Sequence, residues 1–139
     1  MCANHGKIDL GFTSEKFPKG THMCYIYNDD EERKSIMSKF IEAGLNGNEK
    51  VAYFAHSMDK SEMLNVLEEE GVSLSDENKD KFIVANAGQT YCPDGTFDPK
   101  KMAGNLINFY QGTMAEGYSG ARVSGEMLWL LDGKPGNKK

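Results

Sequence analysis

The run Thr21-His22-Met23-Cys24-Tyr25-Ile26-Tyr27 brings together side chains that can do chemistry. A strand repeats every two residues, so an extended run here puts His22 and Cys24 on one face. A histidine beside a thiol can lower its pKa and create a nucleophile, and the same two groups can share a soft metal ion such as zinc. The plainer reading is a polar piece of core, because free cysteine is among the most buried residue types. Cys92, in a later polar loop, would turn the pair into a three-ligand metal set with His22 and Cys24 if the fold brought it close. Arg122 and Glu126 form a second cluster: Arg122 shares a strand face with Ser124, and Glu126 follows Gly125 at the strand end. An arginine there either pairs with Glu126 or a helix carboxylate, or orients the polar head group of a small ligand.

The elements that must position these groups alternate between strand and helix. Residues 1–20 carry no sustained periodicity and read as a flexible N-terminal arm, which holds Cys2 and His5. The first strand is expected at His22–Tyr27. Asn28-Asp29-Asp30 then caps a helix whose apolar positions Ile36, Met37, Phe40, Ile41 and Leu45 keep helical spacing, and Asn46-Gly47-Asn48 stops it. Val51–Ala55 is an unbroken apolar run of the kind buried on both faces of a sheet. A helix from about Asp59 to Glu70 follows, with Met63, Leu64, Val66 and Leu67 inward and Gly71 just past its end. Phe82–Ala85 is a third strand, Asn86–Thr96 a long loop, and Asp98-Pro99 the start of a helix reaching Gly117. Ser119–Ser124 is a fourth strand, leading into a segment in which Trp129 anchors a last helix.

Apolar strands alternating with helices predict an α/β fold: a mostly parallel sheet of about four or more strands covered by helices, in a three-layer RecA-like or Rossmann-like arrangement. Ligands in such sheets sit beyond the carboxyl ends of the strands, which directs attention to the loops after Tyr27, Ala55, Ala85 and Ser124, and to His56. The first of these loops is acidic where a nucleotide-binding protein would carry a glycine-rich cradle and its lysine, so there is no P-loop and neither ATP nor NAD is expected.

Bulk properties narrow the field further. The 139 residues fit one domain, and three cysteines without a CxxC pair give neither a disulfide framework nor a four-ligand zinc module. A reducing, cytoplasmic setting is expected, and no apolar run is long enough to span a membrane. The net charge of −5, with basic residues scattered among acids, argues against direct nucleic-acid contact by this segment. Eight methionines and thirteen Phe or Tyr residues suit either an adaptable pocket or ordinary core.

The His22–Tyr27 run, the acidic helix start, Tyr91-Cys92-Pro93-Asp94-Gly95-Thr96-Phe97-Asp98-Pro99, and Gly117-Tyr118-Ser119-Gly120-Ala121-Arg122-Val123-Ser124-Gly125-Glu126-Met127-Leu128-Trp129 together resemble one family, the methanogen/methylotroph DcmR-type sensory (MEDS) domain. The resemblance spans roughly Gly20 to Gly136. It implies a RecA/KaiC-like domain without a phosphate loop that senses small hydrocarbon derivatives for transcription regulators and signalling proteins. Its H-x-C-x-x-Y motif falls on His22, Cys24 and Tyr27, and its arginine and glutamate on Arg122 and Glu126. Family members usually continue for some tens of residues past the position of Gly136, so a truncated chain or a short natural form is expected, with a sheet edge open to homodimerisation. The expected function is ligand sensing, with a fused or separate output regulator as partner. The rival is an enzyme using Cys24 as nucleophile and His22 as base on an alkylated or halogenated molecule. A metal-binding regulator built on His22, Cys24 and Cys92, and a plain structural module, complete the alternatives.

Overall fold

A computed structural model describes residues 6–127. The helix expected beyond Glu126, with Trp129, and the residues Cys2 and His5 lie outside that range. Within it the chain opens with two short strands, β1 (Lys7–Asp9) and β2 (Lys16–Pro18), paired antiparallel. Most of the expected arm is therefore a hairpin. It is held because Leu10 is buried and Gly11, at φ +84°, lies so close to the Lys39 carbonyl that a Cβ would collide with it.

Helix α1 (Asp30–Asn46) begins where Asp29 accepts a hydrogen bond from the Glu32 amide, the N-cap read from the acidic cluster. It ends at Gly47, and the left-handed backbone falls on Asn48 at φ +59°, a position asparagine tolerates better than most residues. Strand β3 (Glu49–Ala55) is buried along nearly its whole length. Helix α2 (Lys60–Glu69) carries a capping box between Asp59 and Glu62, with Gly71 just past its end at φ +84°. The short helix α3 (Asp76–Asp80) leads into β4 (Phe82–Asn86). The loop expected at Asn86–Thr96 contains one further turn of helix, α4 (Ala87–Tyr91), capped by Asn86. Helix α5 (Pro99–Ala115) starts from Asp98 with proline at its first position, and β5 (Gly120–Gly125) closes the described fold.

The main sheet has the order β4-β3-β5 and is parallel throughout, with Val51 opposite both Phe82 and Arg122, and Tyr53 opposite Val84 and Ser124. Side chains alternate across it. Val51, Tyr53 and Ala55 face a core shared with Ile41 and Leu45 of α1 and Met63 and Leu67 of α2. Ala52 and Phe54 face the opposite core, with Ala87, Cys92 and the α5 residues Met102 and Phe109. Helices cover both faces, as the apolar strand patterns require. Gly44 lets α1 come down close on the sheet, because a Cβ there would sit 2.8 Å from the Arg122 Cδ and 2.9 Å from a Val51 methyl.

The α/β class is confirmed, while the sheet among the described residues has three parallel strands instead of four or more. The missing one is the strand expected at His22–Tyr27. Residues 21–27 are in no sheet pairing, and every side chain in the stretch is exposed. Local pattern favours extended backbone there, but a strand exists only when its N–H and C=O groups find a neighbouring ladder.

Candidate functional site

The chain runs from β3 outward to β4 and then returns over the opposite face to β5 on the other side of β3. The order of strands thus reverses between β3 and β5, and the carboxyl ends of these two strands flank the crevice where open α/β sheets bind ligands. Glu126 occupies that position. Its amide donates to the Phe54 carbonyl at 2.9 Å, which carries the β5 backbone one residue past the strand and fixes the side chain over the end of β3.

The Glu126 carboxylate accepts three hydrogen bonds. Tyr53 Oη donates to Oε1 at 2.7 Å, Arg33 Nη1 donates to the same oxygen at 3.1 Å, and the His56 amide donates to Oε2 at 3.0 Å. Arg33 Nη1 is also 3.1 Å from Tyr53 Oη, so arginine, phenol and carboxylate form a closed triangle. Arg33 and Glu126 keep only 12 % and 13 % of their side-chain surface exposed, enough to be reached from the crevice and too little for free hydration. Burial pushes the Tyr53 phenol well above its ordinary range, and its hydrogen bond to the Glu126 charge adds to the shift. Burial works against the Arg33 charge, yet the Asp30 carboxylate together with Tyr53 and Glu126 outweighs it and raises the guanidinium above its usual value. The group is therefore a proton-bearing phenol and a fixed cation gathered on one anion, a polar anchor whose parts are held before any ligand arrives.

Arg122 is engaged elsewhere. Neither expected partner, Glu126 or a helix carboxylate, is taken: Arg122 lies within β5 opposite Val51, four residues before Glu126, and grips Glu49 of β3 through Nε at 3.1 Å and Nη2 at 2.8 Å. The same guanidinium donates to the Phe40 carbonyl at 2.8 Å and the Asp9 carbonyl at 2.7 Å, and stacks 4.6 Å from the Phe40 ring. It thereby ties β5, β3, α1 and the hairpin together. Burial raises the Glu49 carboxyl in spite of the attraction of Arg122, so the pair depends on its geometry. Sequence offered no means to choose Glu49, because the contact spans 73 positions and is set by strand register alone.

The motif residues are placed apart from both clusters. His22, Cys24 and Tyr27 are exposed on the unpaired segment, whereas Cys92 is buried in the core beneath α5. Among the described residues no three His, Cys, Asp or Glu groups come together as a set able to hold a metal, so His22, Cys24 and Cys92 do not form the three-ligand site that was expected. His56 contributes its main-chain N–H to the crevice. Reasoning from sequence found Glu126 and missed Arg33 and Tyr53. Arg33 lay in a charge run that reads as an ordinary helix start, and Tyr53 lay inside an apolar strand; the signal available was a single hydroxyl placed two residues before the strand end.

These features define a parallel α/β domain whose strand ends are closed by an Arg–Tyr–Glu triangle and whose first loop is acidic instead of a phosphate cradle. The chain belongs to the MEDS family, the methanogen/methylotroph, DcmR sensory domain, whose family model matches residues 21–139. No curated protein and no solved structure matches the chain significantly. Among the described residues no helix is long and apolar enough to cross a membrane.

Proposed function

We propose that this sensory domain binds a small organic molecule at the carboxyl ends of β3 and β5 and passes the binding event to an output regulator of transcription or signalling. The observation that carries this reading is the Arg33–Tyr53–Glu126 triangle, a nearly buried polar anchor at the point where the strand order reverses. A polar head group would exchange hydrogen bonds with Glu126 and Arg33, while apolar side chains near the segment 21–27 hold a short carbon skeleton. Tyr27 leads directly into the helix that carries Arg33. Arg122 serves the site at a distance, by fixing β5. A signal arises because a ligand that binds one arrangement of these elements more tightly than another shifts the population between them.

The experiment is a titration of isotope-labelled protein with short-chain alcohols, amines, thiols and halocarbons, read by amide chemical shifts. Saturable shifts at His56 and Glu126 that are lost in Glu126→Gln support the reading. Binding that leaves these amides unmoved, or conversion of the compound to product, defeats it; in the second case Cys24→Ser identifies whether the thiol is the nucleophile.

A further inference from the structure

Gly125, the last residue of β5, meets a side chain that stands outside the Arg33–Tyr53–Glu126 triangle. It lies opposite Phe54 in the sheet, and alternation turns the position of its absent side chain away from Tyr53, toward the face of Phe54. A Cβ at Gly125 would come within 2.5 Å of the Tyr91 hydroxyl oxygen, 3.4 Å of the Phe54 Cβ and 3.5 Å of the Tyr91 Cζ. The first distance is a collision, and the other two are ordinary van der Waals contact. The backbone of Gly125 is not among the left-handed ones, so space and not torsion requires glycine there. One oxygen of one side chain sets the requirement.

That oxygen is firmly placed. Tyr91 ends α4, on the β4 side of the sheet, and reaches β5 by crossing over β3, two strand spacings or roughly 10 Å away. Its ring meets Phe54 edge to face on the way, with centroids 5.6 Å apart and planes at 88°. Burial holds the Tyr91 phenol above its ordinary range. Because the oxygen is rigidly attached to the ring, it can leave Gly125 only if the whole ring moves and the contact with Phe54 breaks.

Helix α4 touches the crevice a second time. Asn86 caps it by accepting from the Gln89 amide at 2.9 Å, and donates through Nδ2 to the His56 carbonyl at 3.4 Å. His56 is the residue whose N–H donates to Glu126. The turn after β4 thus braces both strand ends that carry the anchor, β3 at His56 and β5 at Gly125.

We propose that Tyr91 is a positioning residue for Glu126: its hydroxyl, standing against Gly125, stops the end of β5 from moving toward the α5 face and so keeps the Glu126 carboxylate in reach of the Tyr53 hydroxyl and the His56 amide. The triangle acts from one face of the sheet and Tyr91 from the other. This inference rests on the reading of Glu126 as the ligand anchor and adds the element that sets where the anchor lies.

A double-mutant cycle tests it, read at the His56 amide proton of the isotope-labelled protein, which reports the hydrogen bond to Glu126 and which a role confined to stability would leave in place. Gly125→Ala overfills the contact and should displace this resonance and lower the denaturant midpoint. Tyr91→Phe removes the colliding oxygen and should displace the resonance less. In Tyr91→Phe/Gly125→Ala the new methyl takes the space of the lost oxygen, and both readouts should return toward those of the unaltered protein. An unmoved His56 amide in Gly125→Ala, or displacements that simply add in the double variant, overturns the proposal. If Gly125→Ala does not fold, the double variant decides: a folded protein with the His56 resonance near its unaltered position supports the assignment, and an unfolded or displaced one refutes it. No ligand is added, so the outcome is separate from the titration above: failure of every probe to bind defeats the sensing role of Glu126 and leaves its positioning by Tyr91 standing.

Discussion

Two arginine–carboxylate pairs hang from β5, one near its start and one just past its end, and they do different work with the same chemistry. Arg122 and Glu49 keep 3 % and 10 % of their side-chain surface, and the guanidinium donates to four acceptors, two of them main-chain carbonyls. Arg33 and Glu126 meet through a single contact, share a tyrosine, and lie at the crevice. A pair in which every guanidinium nitrogen is already bonded within the protein acts as a structural tie. A pair whose anion is shared among a cation, a phenol and a main-chain N–H can trade one of those partners for a ligand group.

The sharpest way to break that comparison is Arg122→Leu, which leaves Glu49 buried without its cation and should cost about 3–5 kcal/mol in denaturant unfolding. Since burial already holds the Glu49 carboxyl above its ordinary value, the neutral form is the one the folded state tolerates. The loss in Arg122→Leu should therefore shrink as pH falls through the carboxylate range. Adding Glu49→Leu should recover most of the stability, as replacement of a whole buried pair by apolar groups often does. A tie that could be cut at little cost would erase the distinction drawn between the two ends of β5.

Glu126→Ala comes next. It strands the Tyr53 hydroxyl, the Arg33 guanidinium and the His56 N–H at once, and we expect a loss of about 1–3 kcal/mol by the same unfolding measurement. Glu126→Gln keeps an acceptor and should recover much of that stability without recovering ligand-induced shifts. Ligand-induced shifts that persist in Glu126→Gln would show that the charge is irrelevant to the crevice.

A smaller effect is expected for Tyr53→Phe, about 1 kcal/mol at neutral pH. Its value lies in the pH profile. The folded phenol is held above its unfolded value near 10, so the stability it contributes is fully present below that pH and is lost as pH rises past it. Melting temperature should fall above about pH 10 in the unaltered protein and fall less steeply in Tyr53→Phe. Parallel profiles would mean that the hydroxyl is not buried against Glu126.

The smallest change is expected for Asp30→Asn. The Arg33 guanidinium, donating from Nε at 2.8 Å, lowers the Asp30 carboxyl, but this carboxylate is largely exposed and solvent screens the pair. Thermal melts should superimpose on those of the unaltered protein. A marked drop would transfer the anchoring role from Glu126 to the helix start.

The sequence by itself determined the α/β alternation, the helix starts at the Asn28-Asp29-Asp30 cluster, at about Asp59 and at Asp98-Pro99, the strands β3, β4 and β5 within two residues, and Glu126 as a residue at the end of a strand. These rest on local rules, namely periodicity, capping chemistry and the conformational needs of glycine and proline, which act over a few residues and are legible in order along the chain. Only the tertiary structure decided that Arg122 takes Glu49 over Glu126, that Arg33 and Tyr53 join the crevice, that the arm folds into a hairpin under Arg122, and that His22 and Cys24 stand apart from Cys92. Partner choice at that range is set by strand order and register: which edge a strand meets, and at which residue, fixes every side-chain pairing across the sheet, and neither is encoded within a window of neighbouring residues. The run at His22–Tyr27 shows the boundary clearly, since its pattern specifies extended backbone and alternating faces, while a ladder partner must come from elsewhere in the fold.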